Sequence, residues 1–268
     1  MTKTILITGA TDGIGLETAR ILAAKGQRVL LHGRNAAKLE ALRESFTSLA
    51  KVPVETFVAD ISRMADVEGL AAAVIARSAP LDVLINNAGV YSTSSPVTPE
   101  GLDLRFVVNT VAPYLLTQRL LPLLGSAGRV VNLSSAAQAP VNLKVLEGGG
   151  VLSDNAAYAQ SKLAITMWSR ALADALGDEG PKVIAVNPGS LLASKMVKDA
   201  FGVEGADLRI GADILTRAAL SEEFADASGK YYDNDAHRFA SPHRDALDPE
   251  KCQAVVRVVE AVLARTKP

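Results

Sequence analysis

Short runs of β-branched and aliphatic residues alternate with longer amphipathic segments, and this alternation narrows the possible folds more than any other feature. The predicted strands are Thr4–Thr8, Arg28–His32, Val54–Ala59, Val83–Asn86, Arg129–Leu133, Lys182–Asn187 and Gly229–Asp233. The predicted helices include Ile14–Lys25, Asn35–Leu49, Met64–Arg77, Gly101–Leu124, Asn155–Leu176 and Pro249–Arg265. Such alternation is typical of a parallel sheet covered by helices on both faces. We therefore expect an α/β fold with a doubly wound parallel sheet of about seven strands, in one domain over residues 1–268.

Composition and charge argue against several classes of function. The 28 lysines and arginines nearly balance the 29 acidic residues, so a net charge of −1 gives no general attraction to nucleic acid. The longest apolar stretch, Phe106–Leu124, contains an arginine and two amides, so no membrane span is expected. A strand pattern at the very start favours a cytoplasmic protein. Cys252 is the single cysteine, and the histidines lack ligand spacing, so we expect no metal and interpret segment 233–245 as a solvated loop.

A glycine-rich segment follows the first predicted strand and leads directly into the first predicted helix. Its sequence is Thr8-Gly9-Ala10-Thr11-Asp12-Gly13-Ile14-Gly15. Glycine permits a tight turn and a close approach of the backbone to a ligand, and the N–H groups at the start of a helix favour an anion. The segment therefore predicts a cradle for the pyrophosphate of a dinucleotide. The alternative is a glycine-rich turn without a ligand, which this strand-turn-helix context disfavours.

The spacing of these glycines, Gly-x-x-x-Gly-x-Gly, resembles the short-chain dehydrogenase/reductase family, and further family motifs follow in order. Asp60-Ile61 stands where the family holds the adenine ring, and Asn86-Asn87-Ala88-Gly89 is similar to its second signature. Asn187-Pro188-Gly189 is similar to the turn beside the nicotinamide. The resemblance implies a Rossmann-type domain. The cofactor-binding residues so predicted are Gly9, Thr11, Asp12, Gly13, Ile14, Gly15, Arg34, Asn35, Asp60, Ile61, Asn87, Ala88, Gly89, Tyr158, Lys162, Pro188 and Gly189.

The end of the second predicted strand bears on which nicotinamide cofactor is bound. Sites for NAD usually place an acidic residue there, whereas this chain has Gly33-Arg34-Asn35. The charged, planar guanidinium of Arg34 suits a 2′-phosphate, so we predict NADP(H) as the cofactor. Two points leave the choice of NADP(H) open. Arg34 could instead be solvated or cap the next helix, and Asp12 stands where NADP-using relatives often carry a basic residue.

Tyr158 and Lys162 lie four residues apart in a predicted helix, which puts the phenol and the ammonium on one helix face. A tyrosine that exchanges protons near neutral pH needs a nearby positive charge to lower its pKa, and we expect Lys162 to supply it. The spacing alone is common in ordinary helices. The family resemblance adds Ser135, which would bind the reacting oxygen, and Asn109, which would support a proton relay to the lysine. Asn109, Ser135, Tyr158 and Lys162 are thus the predicted catalytic residues.

The segment between Ser135 and Tyr158 has 22 residues, more than compact members of the family use. This enlargement and Gly33-Arg34-Asn35 resemble the retinol-dehydrogenase-like branch, whose substrates differ widely. We expect substrate loops near residues 136–155 and 190–210 and a small, apolar substrate. The resemblance also implies a possible homodimer or homotetramer, although departures in the carboxyl-terminal segment can alter pairing.

These features predict an NADP(H)-dependent oxidoreductase that transfers a hydride to or from a carbonyl or hydroxyl carbon, as in a carbonyl reductase. Two alternatives stay open. A catalytically silent NADP(H)-binding redox regulator would need the nucleotide site but not the catalytic residues. An epimerase or lyase on the same fold would usually show a different glycine spacing and a larger carboxyl-terminal domain.

Overall fold

The computed structural model describes residues 1–77, 80–193 and 205–266, and its centre is one eight-stranded sheet. The strands are β1 (Thr4–Ile7), β2 (Arg28–Gly33), β3 (Glu55–Val58), β4 (Val83–Asn86), β5 (Arg129–Leu133), β6 (Lys182–Asn187), β7 (Tyr231–Asp233) and β8 (Arg238–Ala240). Their order across the sheet is β3-β2-β1-β4-β5-β6-β7-β8. The pairs from β3 to β7 are parallel, and β8 runs antiparallel to β7. The predicted α/β doubly wound fold is therefore confirmed, with one strand more than expected.

Helices cover both faces of this sheet. They are α1 (Gly13–Ala24), α2 (Ala36–Ser45), α3 (Met64–Arg77), α4 (Leu104–Phe106), α5 (Ala112–Leu120), α6 (Leu143–Leu146), α7 (Asp154–Leu176), α8 (Leu208–Leu220) and α9 (Pro249–Arg265). Successive side chains of a strand point to opposite faces, so Ile5 and Ile7 of β1 pack with α1, α2 and α8. Leu6 points the other way, into the layer formed with α3, α5, α7 and α9. These two apolar layers hold the sheet rigid, so its strand ends are well placed to support a site.

The predicted helix Gly101–Leu124 is shorter and less regular than expected. Gly101 has φ +79°, which is outside the helical region, and the helix begins only after Asp103, whose side chain accepts a hydrogen bond from the backbone N–H of Arg105. Residues Val107–Val111 then form a π-helical segment between α4 and α5. Such segments are rare and occur often at functional sites, and this one contains Asn109.

Helix α8 was not among the predicted helices, although its pattern is present in the sequence. Asp207 caps its first turn by accepting from the N–H of Arg209, and its buried residues include Ile214, Leu215 and Ala218 at helical spacing. It packs against α1. The predicted substrate loop 190–210 therefore ends in the first turn of a helix, and its residues 194–204 lie outside the described ranges.

The expectation of a solvated loop over residues 233–245 is wrong in part, because the hairpin of β7 and β8 occupies its beginning. Tyr232 pairs with Phe239, and their rings meet edge-on with centroids 5.1 Å apart. Phe224 lies 5.2 Å from both rings. This aromatic contact stabilises β8, a strand of three residues whose sequence lacks a marked alternation of apolar and polar residues.

Helix α9 packs on α7 through buried side chains that include Cys252, Val255 and Val259. The expected homodimer or homotetramer stays a prediction. No helix within the described ranges combines the length and the apolar character that crossing a bilayer requires.

Arg105 forms a buried ion pair with Asp103 at the start of α4 and connects this pair to the start of α7. The guanidinium of Arg105 donates to both carboxylate oxygens of Asp103 at 2.7 Å and to the carbonyl of Leu152 at 3.0 Å, and it also contacts Asp154. The side chains of Arg105 and Asp103 are 1% and 0% exposed. Removing one partner of such a pair leaves the other charge buried without compensation.

We expect Arg105→Met to lower the free energy of unfolding by about 3–5 kcal/mol, because Asp103 would remain buried and unpaired. Urea denaturation measures this loss. The matched control is Arg119→Met, which breaks the exposed ion pair with Glu68, where the side chains are 41% and 30% exposed, and should cost less than about 1 kcal/mol. Equal losses in the two variants would contradict the structural role of Arg105.

Candidate active site

A cleft of about 550 Å³ opens at the carboxyl ends of the central strands. It lies over β1 and β4, the neighbouring strands between which the chain order reverses, and this is where open α/β sheets bind ligands. The predicted residues that line it are Gly9, Thr11, Asp12, Gly13, Ile14, Arg34, Asp60, Ile61, Asn87, Ala88, Gly89, Tyr158, Lys162 and Pro188. Gly15, Asn35, Asn109, Ser135 and Gly189 are not part of the lining.

The glycine-rich loop after β1 forms the floor of the cleft and packs tightly against the end of β4. Gly9 has φ +66° and Gly13 has φ +56°, values that glycine adopts without strain. The side-chain amide of Asn87 donates to the carbonyls of Thr8 at 2.8 Å and Gly9 at 3.0 Å. A Cβ on Gly15 would lie 2.4 Å from that amide nitrogen, so no other residue fits there. The loop thus has the shape of a cradle whose backbone an elongated ligand can approach closely.

The start of α1 points its N–H groups toward this cradle, and Asp12 modifies the anion site they form. The carboxylate of Asp12 accepts a hydrogen bond of 2.7 Å from the N–H of Gly13 and so caps the helix. The N–H of Gly13 is therefore already used within the chain, and the carboxylate of Asp12 places a negative charge beside the remaining donors. These residues fit a dinucleotide pyrophosphate, with Asp12 as the unfavourable group.

His32, at the end of β2, was not among the predicted site residues although it lines the cleft. Its Nδ1 accepts from the N–H of Gly9 at 3.3 Å, and its Nε2 lies 3.1 Å from the carbonyl of Ala59. This pairing requires a neutral imidazole that is protonated on Nε2. Burial lowers the pKa of His32, against the raising effects of the Ala59 hydrogen bond and the Asp60 charge. The neutral ring therefore joins the glycine loop to the end of β3.

Arg34 lies at the rim of the cleft beside His32. Its side chain is exposed, and none of the ion pairs found among the described residues includes it. Gly33 is needed before it, since a Cβ there would lie 2.6 Å from the side-chain methyl of Thr11. Asn35 acts as the cap of α2, accepting from the N–H of Lys38 at 2.9 Å. Its placement in the described structure is that of a helix cap, and its predicted contact with the cofactor stays a prediction.

Tyr158, Lys162 and Ser135 meet at the opposite end of the cleft. The Nζ of Lys162 lies 5.6 Å from the ring centroid of Tyr158 and donates to the carbonyl of Leu133 at 2.7 Å. Ser135, which follows β5, lies close enough to the phenol of Tyr158 for its hydroxyl to lower the pKa of that phenol. The structure therefore brings these three predicted catalytic residues together.

The pKa of the phenol differs from the sequence expectation. Burial raises the pKa of Tyr158, the hydrogen bond with Ser135 lowers it, and the neighbouring Tyr91 raises it further. Lys162 is not among these causes, and burial lowers the pKa of Lys162 itself to about 8. The expected lowering of the phenol pKa is therefore wrong for the described structure, because desolvation disfavours the phenolate, and stabilisation of the phenolate by Lys162 during the reaction stays a prediction.

Asn109 sits in the π-helical segment, and its side-chain amide is engaged on both sides. Its Oδ1 accepts from the N–H of Val90 and its Nδ2 donates to the carbonyl of Val90, each at 2.8 Å. The same Nδ2 donates to Ser161 Oγ at 3.0 Å, and that hydroxyl donates to the carbonyl of Tyr158 at 2.8 Å. The side chain thus ties the loop after β4 to the turn of α7 that carries the phenol, and its predicted part in a proton relay stays a prediction.

The turn after β6 is held by the β7–β8 hairpin, which the sequence analysis did not connect with the site. The carboxylate of Asp235 accepts from the Ser190 backbone at 2.8 Å and from the Asn187 side chain at 2.9 Å. The side chain of Asn234 donates to the carbonyl of Pro188 at 2.9 Å. The turn after β6, which is predicted to lie beside the nicotinamide, is therefore held in place by hydrogen bonds from the hairpin at the sheet edge.

Ser134 and Tyr91 also line the cleft, where the sequence makes Ser134 a candidate helper of Ser135 and Val90-Tyr91 a candidate apolar wall. Ser134 Oγ lies 2.6 Å from Thr166 Oγ1 on α7. The ring of Tyr91 lies 5.1 Å from that of Tyr158. Tyr91 follows Asn87-Ala88-Gly89 by two positions, and its place after a strand end was the one signal that pointed to it.

The sheet and its cleft define a Rossmann-type dinucleotide-binding protein. Residues 3–203 match the family described as short chain dehydrogenase, and the chain therefore belongs to that family. It is 30% identical to human retinol dehydrogenase 13 over 263 residues, covering 91% of this chain and 80% of that protein. It is 34% identical to bovine retinol dehydrogenase 12 over 256 residues, covering 90% and 80%. The predicted resemblance to the retinol-dehydrogenase-like branch is thus confirmed.

Solved structures agree with this assignment. An uncharacterized protein from Mycobacterium paratuberculosis has a TM-score of 0.80 and 27% identity, over 97% of this chain and 92% of that one. A short chain dehydrogenase from Escherichia coli CFT073, whose crystal structure contains NADPH, has a TM-score of 0.72 and 27% identity, over 87% and 96%.

The neutral state of His32 predicts a dependence of stability on pH. Because its pKa in the folded protein is lowered, the unfolded chain takes up the proton first, and stability present above pH 6.5 is lost as the pH falls below that value. We expect urea denaturation of the wild type between pH 7.5 and 5.5 to show a loss of up to about 1.4 kcal/mol per pH unit that His32→Asn abolishes.

The control for this experiment is His237→Asn, which removes an exposed histidine at the β7–β8 turn. His237 has φ +51°, a conformation that asparagine tolerates. The control should keep the pH dependence of the wild type. A wild-type profile that His32→Asn leaves unchanged would contradict the proposed neutral imidazole.

Proposed function

We propose that this protein is an NADP(H)-dependent oxidoreductase that transfers a hydride between the nicotinamide and the carbonyl or hydroxyl carbon of a small, apolar substrate. The observation that carries the proposal is the contact of Ser135 with the phenol of Tyr158, beside Lys162 and at one end of the cleft whose other end is the glycine cradle. The cradle residues would hold a dinucleotide at the same strand edge as these side chains, so binding and chemistry would share one cleft. A silent NADP(H)-binding regulator would have no need for this arrangement.

The proposed chemistry assigns a distinct task to each of these side chains. The cofactor supplies the hydride when it is bound. The hydroxyls of Ser135 and Tyr158 donate hydrogen bonds to the substrate oxygen, which polarises the carbonyl and holds it in place. As negative charge develops on that oxygen, Tyr158 gives up its proton, and the ammonium of Lys162 stabilises the resulting phenolate. In the oxidation of an alcohol the phenolate accepts the proton instead.

Burial supports the reductive direction of this proton transfer. A raised pKa keeps the phenol of Tyr158 protonated, which is the form that donates to a developing alkoxide. The oxidative direction needs the phenolate of Tyr158. Binding of the cofactor or the alcohol would therefore have to lower the pKa of this phenol by stabilising its charged form. The loops 136–155 and 190–210 are proposed to border the substrate, since they adjoin Ser135 and Pro188.

The proposal of NADP(H) over NAD(H) rests on Arg34. Its exposed guanidinium stands at the rim of the cleft, next to the end of β2 where an NAD site usually carries an acid. A bidentate contact with a 2′-phosphate is the recognition that such a guanidinium provides. The NADPH in the related Escherichia coli structure supports the same choice. Asp12, at the pyrophosphate end, limits the affinity through its charge.

Tyr158→Phe tests the catalytic proposal. We expect kcat for NADPH oxidation to fall by about 10²–10⁴-fold, since the variant loses the proton donor and keeps the ring. A panel of aldehydes, ketones and quinones provides the substrates. The dissociation constant of NADPH, measured by calorimetry, should stay within about twofold because the phenol acts at the reacting carbon. An unchanged kcat would refute the role, and wild-type binding of NADPH without any turnover would favour the silent regulator.

Arg34→Asp tests the cofactor proposal. We expect kcat/KM with NADPH to fall by about 10–100-fold, the value of a charge-assisted hydrogen bond, while kcat/KM with NADH rises or stays the same. The control is Lys25→Asp, which makes the same change of charge just beyond the far end of α1 and should leave the preference unaltered. A wild type whose kcat/KM with NADH equals or exceeds that with NADPH would overturn the assignment.

A further inference from the structure

The ring of Tyr91 forms one wall of the cleft immediately beside the phenol of Tyr158. The two ring centroids are 5.1 Å apart and the planes are tilted by 52°. Tyr91 is half-buried, so part of its surface faces the cleft that it lines. A substrate bound at the phenol of Tyr158 would therefore have this second ring as a neighbour.

The backbone next to Tyr91 is fixed by hydrogen bonds. Both the N–H and the carbonyl of Val90 pair with the side-chain amide of Asn109 at 2.8 Å. Asn109 is itself bonded to Ser161, and Ser161 to the carbonyl of Tyr158. One network therefore holds the backbone beside both aromatic residues, and this reduces the ordering cost of binding a ligand next to them.

The surroundings of this wall are apolar on the side of α4. Leu104 and Val108 line the same cleft, and Val90 packs against the apolar layer beneath it. Aromatic rings prefer offset or edge-to-face contact with other flat π systems, and this preference adds to the free energy of burying apolar area. A saturated ring of equal size gains only the burial.

We propose that Tyr91 makes this site selective for carbonyl compounds whose carbonyl carbon is attached directly to a flat aromatic ring, and for the corresponding aromatic alcohols. This inference rests on the proposed function and names the substrate class of the same site. In the reduction, the hydride from NADPH forms a C–H bond at the carbonyl carbon, the C=O π bond breaks, and the oxygen takes the proton of Tyr158. The products are the aromatic alcohol and NADP⁺, and solvent returns the proton to Tyr158.

The test compares benzaldehyde with cyclohexanecarboxaldehyde, two aldehydes of similar size that differ in the flatness of the ring. The quantity measured is the ratio of their kcat/KM values in the wild type, Tyr91→Leu and Tyr91→Phe. Comparing this ratio between variants cancels the different intrinsic reactivities of the two aldehydes. We expect Tyr91→Leu to lower the ratio by about three- to tenfold, the range of an aromatic contact, and Tyr91→Phe to keep it within about twofold.

A general loss of structure would lower both kcat/KM values and leave their ratio unchanged, so the ratio isolates the role of the ring. An unchanged ratio in Tyr91→Leu would overturn the inference. An equal fall in Tyr91→Phe would overturn it as well, because the hydroxyl would then be the selective group.

A binding measurement separates this inference from the proposed function. Calorimetric titration of the NADP⁺-loaded protein with benzyl alcohol and with cyclohexylmethanol should show tighter binding of the aromatic alcohol, and Tyr91→Leu should abolish the difference. Preferential binding without turnover of any carbonyl compound would defeat the proposed oxidoreductase and keep the selectivity of Tyr91. Turnover with equal binding of the two alcohols would defeat the selectivity alone.

Discussion

The close approach of the β4 end to the glycine loop is the constraint on which the rest of the site depends. The amide of Asn87 occupies the space that a side chain at Gly15 would need, and it binds the carbonyls of Thr8 and Gly9. This contact shapes the loop into a cradle and fixes where α1 begins. Because β1 and β4 are neighbours at the reversal of strand order, the cradle opens directly into the cleft that Tyr158 and Lys162 reach from α7.

Side-chain hydrogen bonds connect the separate loops around this cleft, so they share one geometry. His32 links the glycine loop to the end of β3, and Asn109 links the loop after β4 to α7. Asp235 links the turn after β6 to the sheet edge. These groups are well buried or engaged by short hydrogen bonds, which gives a site built on loops the precision usually associated with regular elements.

Burial sets the protonation state of the catalytic residues in the described structure. It raises the pKa of Tyr158 and lowers that of Lys162 to about 8, so near pH 7 the phenol is neutral while the ammonium of Lys162 is still largely protonated. The phenol of Tyr158 is thereby kept protonated and able to donate a proton. The side chain of Ser135 acts in the opposite direction, because it lowers the pKa of this phenol. Negative charge develops at this end of the cleft only during the reaction, where a low dielectric makes its interaction with the Lys162 ammonium stronger.

Local sequence patterns predict most of the strands and helices along the chain, the glycine cradle and the Tyr158–Lys162 spacing, because each is a matter of periodicity, turn residues or helix geometry, whereas β8 and α8 were missed. The sequence also placed Asn87 and Ser135 after strands, since parallel strands present their carboxyl ends at one edge. Contacts across the fold set the other features: Lys162 is bound to Leu133, Asn35 caps a helix, and His32 and Asp235 belong to the site. These features depend on contacts between residues distant in the chain and on burial, and neither leaves a periodic trace in the sequence.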